Sequence, residues 1–289
     1  MTWRTTLDDT GVATHAWAGD APAGAPRLLL LHGLTDSGPS WADAARRWGS
    51  TYQVSAWDAL GHGRSRRFLP AELQDDPIEV MYAALARLAA RVVTEDGAPL
   101  VVVGHSMGGG LGAALAAREP GLVAAAVLED PAWRPDRHDP AGALGRVMGT
   151  VQARESVADL VARGRERSPD WPERELLPWA QAKADGDVEF LRGGRAALPQ
   201  PWTEIAAAIT APTLVVTGSE GVILGEERLA EVAALGNPAL TVEVIPGADH
   251  CVRRSRTDAF HAVVDPWLAA HAPTRRPSAT TSLAPRPPR

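Results

Sequence analysis

Ser106 stands in the run Gly104-His105-Ser106-Met107-Gly108, directly after the apolar stretch Leu100 to Val103. A serine with glycine two residues away on either side fits a sharp turn from a buried strand into a helix. At such a turn the hydroxyl projects from the tip as a candidate nucleophile. The backbone N–H of Met107, at the positive end of the following helix, points into the same space. A second run, Leu28 to Leu31, meets His32-Gly33-Leu34-Thr35. Gly33 gives the chain room to turn, so that the Leu34 N–H faces the tip of the serine strand as a second anion donor. A nucleophile between two fixed donors suits acyl transfer. Glycine turns also occur with no chemical part, so the elements around them have to carry the reading.

The opening segments, Trp3 to Leu7 and Val12 to Ala18, alternate weakly around Asp8-Asp9-Thr10-Gly11, which predicts an edge hairpin. Ser40 or a neighbour is expected to cap a helix from Trp41 to Trp48, and Tyr52 to Trp57 reads as the next strand. That strand runs into Asp58-Ala-Leu-Gly61-His62-Gly63-Arg-Ser65, where His62 is expected to be structural. Asp76-Pro77 starts a helix whose stripe is Val80, Leu85, Leu88, Val92 and Val93. After the serine helix, Leu122 to Leu128 is a strand ending in Glu129-Asp130-Pro131. Strands alternating with helices at this spacing imply a parallel sheet with right-handed crossovers, and active groups gather at the strands' carboxyl ends.

From residue 133 to 208 this rhythm breaks into helical pieces, such as Ala153 to Arg163 and Leu176 to Ala184, cut by Pro169, Pro172, Pro178, Pro199 and Pro201. The expectation is a helical lid inserted into one discontinuous core domain, residues 1–132 and 209–271. Trp133, Trp171, Trp179 and Trp202 either line a substrate pocket there or pack the lid against the body. The sheet resumes at Pro212 to Thr217, followed by an amphipathic helix ending at Leu235 and an outer strand, Thr241 to Ile245. A last helix, Arg254 to His271, is expected to bend or break at Pro266, and residues 272–289, rich in Pro, Ser, Thr and Arg, to be a disordered tail.

The bulk composition narrows the classes of function. In 289 residues, 45% hydrophobic content supports a large core, and a net charge of −6 gives no basic footprint for nucleic acid. The single cysteine, Cys251, rules out an internal disulfide framework or a cysteine-based zinc cluster and reads as a small packing residue. No signal-peptide pattern opens the chain, and no apolar run is long enough to span a bilayer, so a cytoplasmic protein is expected.

His32-Gly33, the Asp58 to Ser65 loop, Gly104 to Gly108 and Pro246-Gly-Ala-Asp-His250, in that order, closely resemble the α/β-hydrolase superfamily. The resemblance covers about residues 26 to 270. It implies the α/β-hydrolase fold, a mostly parallel eight-stranded sheet flanked by helices with an inserted helical lid. It implies Ser106 as nucleophile, His250 as general base, and the Leu34 and Met107 amides as the oxyanion hole. No metal or organic cofactor is needed for that chemistry.

The acid departs from the common pattern. Most relatives carry aspartate shortly after the glycine that closes the Pro212 strand, but here the run is Gly218-Ser219-Glu220-Gly221. Glu220 is one candidate. Asp130, at the tip of the strand after the serine helix, is preferred, because the order Ser106, Asp130, His250 is similar to hydrolases of the N-formylmaleamate deformylase type. Glu129 should face the opposite side of the sheet, and Asp249 is read as a loop residue.

The function implied is a serine hydrolase cleaving a small-molecule carboxylic ester, amide, formamide or lactone through an acyl-enzyme. Arg134 and Arg137, just beyond Asp130, suit an anionic substrate or are surface residues. The alternatives are a carbon–carbon bond hydrolase using the same residues, or a slow-turnover ligand-sensing protein of the same fold. The sequence leaves the oligomeric state open.

Overall fold

A computed structural model describes residues 2–134, 155–195 and 197–273. The hairpin β1 (Trp3–Leu7) and β2 (Ala13–Trp17) leads to β3 (Arg27–Leu31), a 3-10 turn (Gly38–Trp41), α1 (Ala42–Trp48) and β4 (Gln53–Trp57). There follow α2 (Pro70–Gln74), α3 (Pro77–Asp96), β5 (Leu100–His105), α4 (Met107–Arg118) and β6 (Val123–Glu129). Between β6 and β7 lie α5 (Val157–Arg167), α6 (Glu173–Ala184), α7 (Val188–Arg192) and α8 (Trp202–Ala208). The chain closes with β7 (Thr213–Gly218), α9 (Glu226–Ala234), β8 (Leu240–Ile245), α10 (Val252–Ser255) and α11 (Thr257–His271).

Among the described residues, eight strands form one sheet in the order β1-β2-β4-β3-β5-β6-β7-β8. The first two pairings are antiparallel and the remaining five parallel. The mostly parallel α/β-hydrolase fold expected from the motifs is therefore present. Successive residues of the inner strands face opposite sides of the sheet. Leu29, Leu31, Val102 and Leu128 join one core with α3 and α4, and Leu28, Leu30, Val101 and Val127 join a second with Trp41, Phe260 and Leu268. Burial on both faces explains why these strands are unbroken apolar runs. β8 is the outer edge, as its alternation predicts, and Val242 and Val244 are exposed on it.

Three local readings are corrected. Ser40 does not cap α1; it lies in the 3-10 turn and its hydroxyl donates to Asp36 Oδ1. Pro178 does not cut α6, and Pro266 does not interrupt α11. Proline in a helix interior removes one hydrogen bond and crowds the preceding turn, so tertiary contacts hold these two together. α6 is tied to the core on both sides of Pro178, through Glu175 and Lys183. Beside Pro266, Asp265 accepts from Trp48 Nε1 at 2.8 Å and Arg47 Nε at 2.6 Å, while Phe260, Val264 and Leu268 are buried. Residues 135–154 and 196 of the expected lid, Arg137 with them, and 274–289 of the expected tail lie outside the described residues.

Candidate active site

The carboxyl ends of β3, β5, β6, β7 and β8 bring the site together. Ser106 has φ 52° and ψ −114°, a conformation L-residues rarely adopt, and is 9% exposed. Its backbone is tied down at both ends: its N–H donates to the Glu129 carbonyl at 2.9 Å, and its own carbonyl accepts from Gly110 at 2.9 Å and Ala132 at 2.8 Å. A side chain at Gly108 would put Cβ 2.3 Å from the Leu31 carbonyl oxygen, so only glycine lets α4 lie this close to β3.

His250 follows β8 in a loop with several anchors. Ser219 and Glu220 both donate backbone N–H groups to the Ala248 carbonyl at 3.0 Å. Asp249 accepts from the Cys251 N–H at 2.8 Å, a loop-holding contact. Nε2 of His250 lies 3.0 Å from Ser106 Oγ, and Nδ1 lies 2.5 Å from Asp130 Oδ2. An ionised carboxylate only accepts, so Nδ1 carries the proton and Nε2 offers its lone pair to the serine.

Asp130 is fully buried with φ 36°. Besides His250 it accepts from Thr217 Oγ1 at 2.8 Å and from the backbone N–H groups of Ile223 at 2.9 Å and Leu224 at 3.0 Å. Four donors around two oxygens fix its orientation and satisfy a charge that burial would otherwise make costly. Glu220 lines the neighbouring cavity, and it is Asp130 that reaches the imidazole. Glu129 points the other way, as expected, and accepts from the Arg253 N–H at 2.8 Å and Nη1 at 3.1 Å.

On the other side of Ser106 lies the turn Gly33 to Asp36, closed by the Asp36 N–H on the Gly33 carbonyl at 3.1 Å. Leu34 and Thr35 are its central residues, and both line the cavity with Ser106, Met107 and His250. Met107 is the first residue of α4, where an amide has no partner within the helix. His62 is buried away from this chemistry: Nδ1 donates to the Leu60 carbonyl at 3.0 Å, and the ring packs on His32 and Phe190. Burial pulls its pKa down to about 3, with the neighbouring His32 adding to the effect.

The sequence reading missed two supports. His105, inside the serine motif, donates Nε2–H to the His250 carbonyl at 3.0 Å, and the two rings lie 4.7 Å apart. Burial, reinforced by the nearby His250, Arg253 and Arg254, holds His105 neutral far below the ordinary histidine value. The second is a buried charge cluster. Arg254 donates to Glu175 Oε2 at 2.6 Å and Asp36 Oδ2 at 2.8 Å, while Arg253 pairs with Glu129 and lies 3.8 Å above the Trp41 ring. This cluster joins α10 after the His250 loop, the tip of β6, the turn after β3 and α6. Two consecutive arginines, Arg253 and Arg254, three and four residues after His250 were the available signal for it.

A cavity of about 880 Å³ opens above Ser106. Trp133, Trp171 and Trp179 line it, and Arg134, Arg167 and Lys183 give it cationic groups. A smaller chamber of about 230 Å³ shares Met107, Ala132, Trp133 and Arg134 with it and continues between Leu111, Leu198 and Trp202. Trp133 and Trp202 stack at 5.3 Å in its wall, so these two pack on each other and line the chamber at once. Cys251 lines the larger cavity with a thiol that burial pushes up to about 12, so it stays protonated. Among the described residues, no helix is long and apolar enough to cross a membrane, and no cluster of His, Cys, Asp or Glu is placed to hold a metal ion.

Known proteins resemble this chain in sequence and in fold. The family model described as "Alpha/beta hydrolase family" matches residues 28–265. A monoacylglycerol lipase of Mycolicibacterium smegmatis is 32% identical over 239 residues, 77% of this chain and 80% of that protein. Lipase LipV of Mycobacterium tuberculosis is 33% identical over 202 residues, 66% of this chain and 71% of that protein. Among solved structures, N-formylmaleamic acid deformylase from Pseudomonas putida S16 superposes with a TM-score of 0.67 at 21% identity, covering 91% of this chain and all of that one.

Proposed function

Because this chain belongs to the alpha/beta hydrolase family and is a hydrolase, we propose that it cleaves a small-molecule carboxylic ester, amide, formamide or lactone through an acyl-enzyme on Ser106. The observation that carries this reading is the continuous relay from Asp130 Oδ2 to His250 Nδ1 at 2.5 Å and from His250 Nε2 to Ser106 Oγ at 3.0 Å. A free serine hydroxyl is a poor nucleophile near neutral pH, and an imidazole at this distance takes its proton as Oγ attacks the carbonyl carbon. Asp130 holds the required tautomer and stabilises the imidazolium.

The developing oxyanion is taken by the Leu34 and Met107 N–H groups. Each such donor contributes on the order of 100-fold to 1000-fold in turnover. The imidazolium then gives its proton to the leaving alcohol or amine. Water repeats the sequence with His250 as base and releases the acid.

The cavities support a two-part substrate. An apolar group enters the chamber between Leu111 and Trp202, and a polar or anionic group sits near Arg134 and Arg167 in the larger space. The relatives' names, a monoacylglycerol lipase and, at 28% identity, a 2-(acetamidomethylene)succinate hydrolase of Mesorhizobium japonicum, support esters and amides as the two bond types to try. In this reading the described residues between 133 and 208 form the lid over the site, residues 1–132 and 209–271 the core, and the protein works in the cytoplasm.

The test is saturation kinetics on a panel of p-nitrophenyl esters, anilides and lactones with wild type and Ser106→Ala. Many turnovers by wild type and none by the variant are expected. Product release that stops at one equivalent per protein would favour the ligand-sensing alternative.

A further inference from the structure

Thr35 combines two features that have no place in the relay itself. Among the described residues, three that are not glycine have left-handed φ: Ser106, Asp130 and Thr35, the last at 60°. Two belong to the proposed relay. Thr35 is the third residue of the Gly33 to Asp36 turn, a place where positive φ is normally left to glycine or asparagine because a β-branched side chain is crowded there. The turn also carries the Leu34 amide.

Thr35 meets a charged group delivered from a distant part of the chain. Lys183, near the end of α6, donates from Nζ to the Thr35 carbonyl and to Thr35 Oγ1, both at 2.7 Å. One ammonium therefore fixes the peptide that follows Thr35 and its side-chain rotamer together. Glycine could adopt the turn but would offer no hydroxyl for the second bond. Lys183 is aimed by its own helix: its Nζ lies 5.2 Å from the Trp179 ring centroid, and two turns earlier Glu175 is locked to Arg254 at 2.6 Å.

We propose that Lys183 is a positioning residue for the oxyanion hole: as an ammonium it holds the Thr35 turn in the conformation that presents the Leu34 N–H to the developing oxyanion, and so couples the insertion to catalysis. This rests on the acyl-transfer reading above. The groups facing Lys183 are Asp36 in the same turn, itself bound to Arg254 of α10, and Cys251 of the base loop. Burial lowers the Lys183 pKa to about 8, Arg254 adding to the effect while Asp36 opposes it. The charge on which the clamp depends is therefore lost on the alkaline side of neutrality, where the neutral amine donates more weakly.

The experiment is a pH profile of kcat and KM for ester hydrolysis with wild type, Lys183→Met, Lys183→Arg and Thr35→Val, with Ser106→Ala alongside. Wild type should show an alkaline fall in kcat centred near pH 8. Lys183→Met should lower kcat on the order of 10-fold to 100-fold, the scale of a misplaced catalytic group, with little change in KM and no alkaline fall. Lys183→Arg keeps its charge and should retain more of kcat with the fall moved to higher pH. Thr35→Val removes one of the two bonds with the lysine in place and should lower kcat in the same direction, which keeps the test decisive if Lys183→Met does not fold. Unchanged kcat and an unchanged profile in Lys183→Met and Thr35→Val, with Ser106→Ala inactive, would overturn the clamp and leave the serine mechanism standing. A rise in KM alone in Lys183→Met would overturn it too, making Lys183 a substrate contact. Full turnover by Ser106→Ala would instead remove the reading on which the clamp rests.

Discussion

Asp130, at the end of β6, lies 2.5 Å from the Nδ1 of His250, although 120 residues of chain separate them. The common place for an acid in this fold, after β7, is occupied by Ser219 and Glu220, whose backbone amides instead anchor the His250 loop at Ala248. The two carboxylates are therefore separable by mutation. Asp130→Asn should lower kcat/KM by roughly 10⁴-fold, the scale seen when an orienting acid is replaced, while Glu220→Gln should change it little. Asparagine also sets its NH2 against the donors of Thr217, Ile223, Leu224 or His250, so a fall in stability of about 1–3 kcal/mol should appear in urea unfolding.

The Arg254 cluster gives a stability prediction. Removing one partner of a buried pair leaves the other charge without compensation, which costs about 3–5 kcal/mol. Arg254→Leu removes the shortest ion pair of both Asp36 and Glu175 and leaves them the weaker compensation of Lys183 and Arg253, so chemical denaturation should show a loss toward the lower end of that range, still larger than for the exposed pair Arg165 and Glu173.

Asp36 also sets an acid limit. Burial alone would raise its carboxyl, but Arg254, Lys183, Arg253 and the Ser40 hydroxyl outweigh it and hold the pKa far below the usual carboxylate range. A carboxyl depressed in the folded state contributes stability that is complete above its unfolded value, about 4, and is lost as pH falls below it. Unfolding free energy should therefore drop more steeply between pH 4 and pH 2 in wild type than in Asp36→Asn. Equal slopes would show that the carboxyl is not held down.

The small chamber predicts selectivity. Gly110 lines it from α4, and a Cβ there would meet Ala132 at 3.8 Å, an ordinary contact, so the first carbon of a larger side chain is accommodated and the rest takes up room in the chamber. Gly110→Leu should lose activity on long-chain acyl esters more than on acetate, read as a change in the ratio of kcat/KM values. A ratio equal to wild type would place the acyl group elsewhere.

Much of the fold was legible because it is written locally. The runs Leu28 to Leu31 and Leu100 to Val103 are apolar on both faces, and the glycines around Ser106 are set by close backbone approach. The residues that meet at the site, Ser106, Asp130 and His250, stand in short motifs at strand ends, so they too could be picked out. The supports were hidden for the opposite reason. Arg254 finds Asp36 across 218 positions and Lys183 finds Thr35 across 148, and neither pair leaves a periodic or local trace. Pro178 and Pro266 misled because their local cost is real, and contacts elsewhere on the same helices, through Glu175 and Asp265, outweigh it.

The measurement that bears most directly on the central claim is intact-mass detection of labelling by a fluorophosphonate probe, which requires an activated serine. Wild type should gain one adduct, and Ser106→Ala, checked as folded by circular dichroism, should gain none. An unlabelled, folded wild type, or equal labelling of Ser106→Ala, would contradict the assignment of Ser106 as the nucleophile.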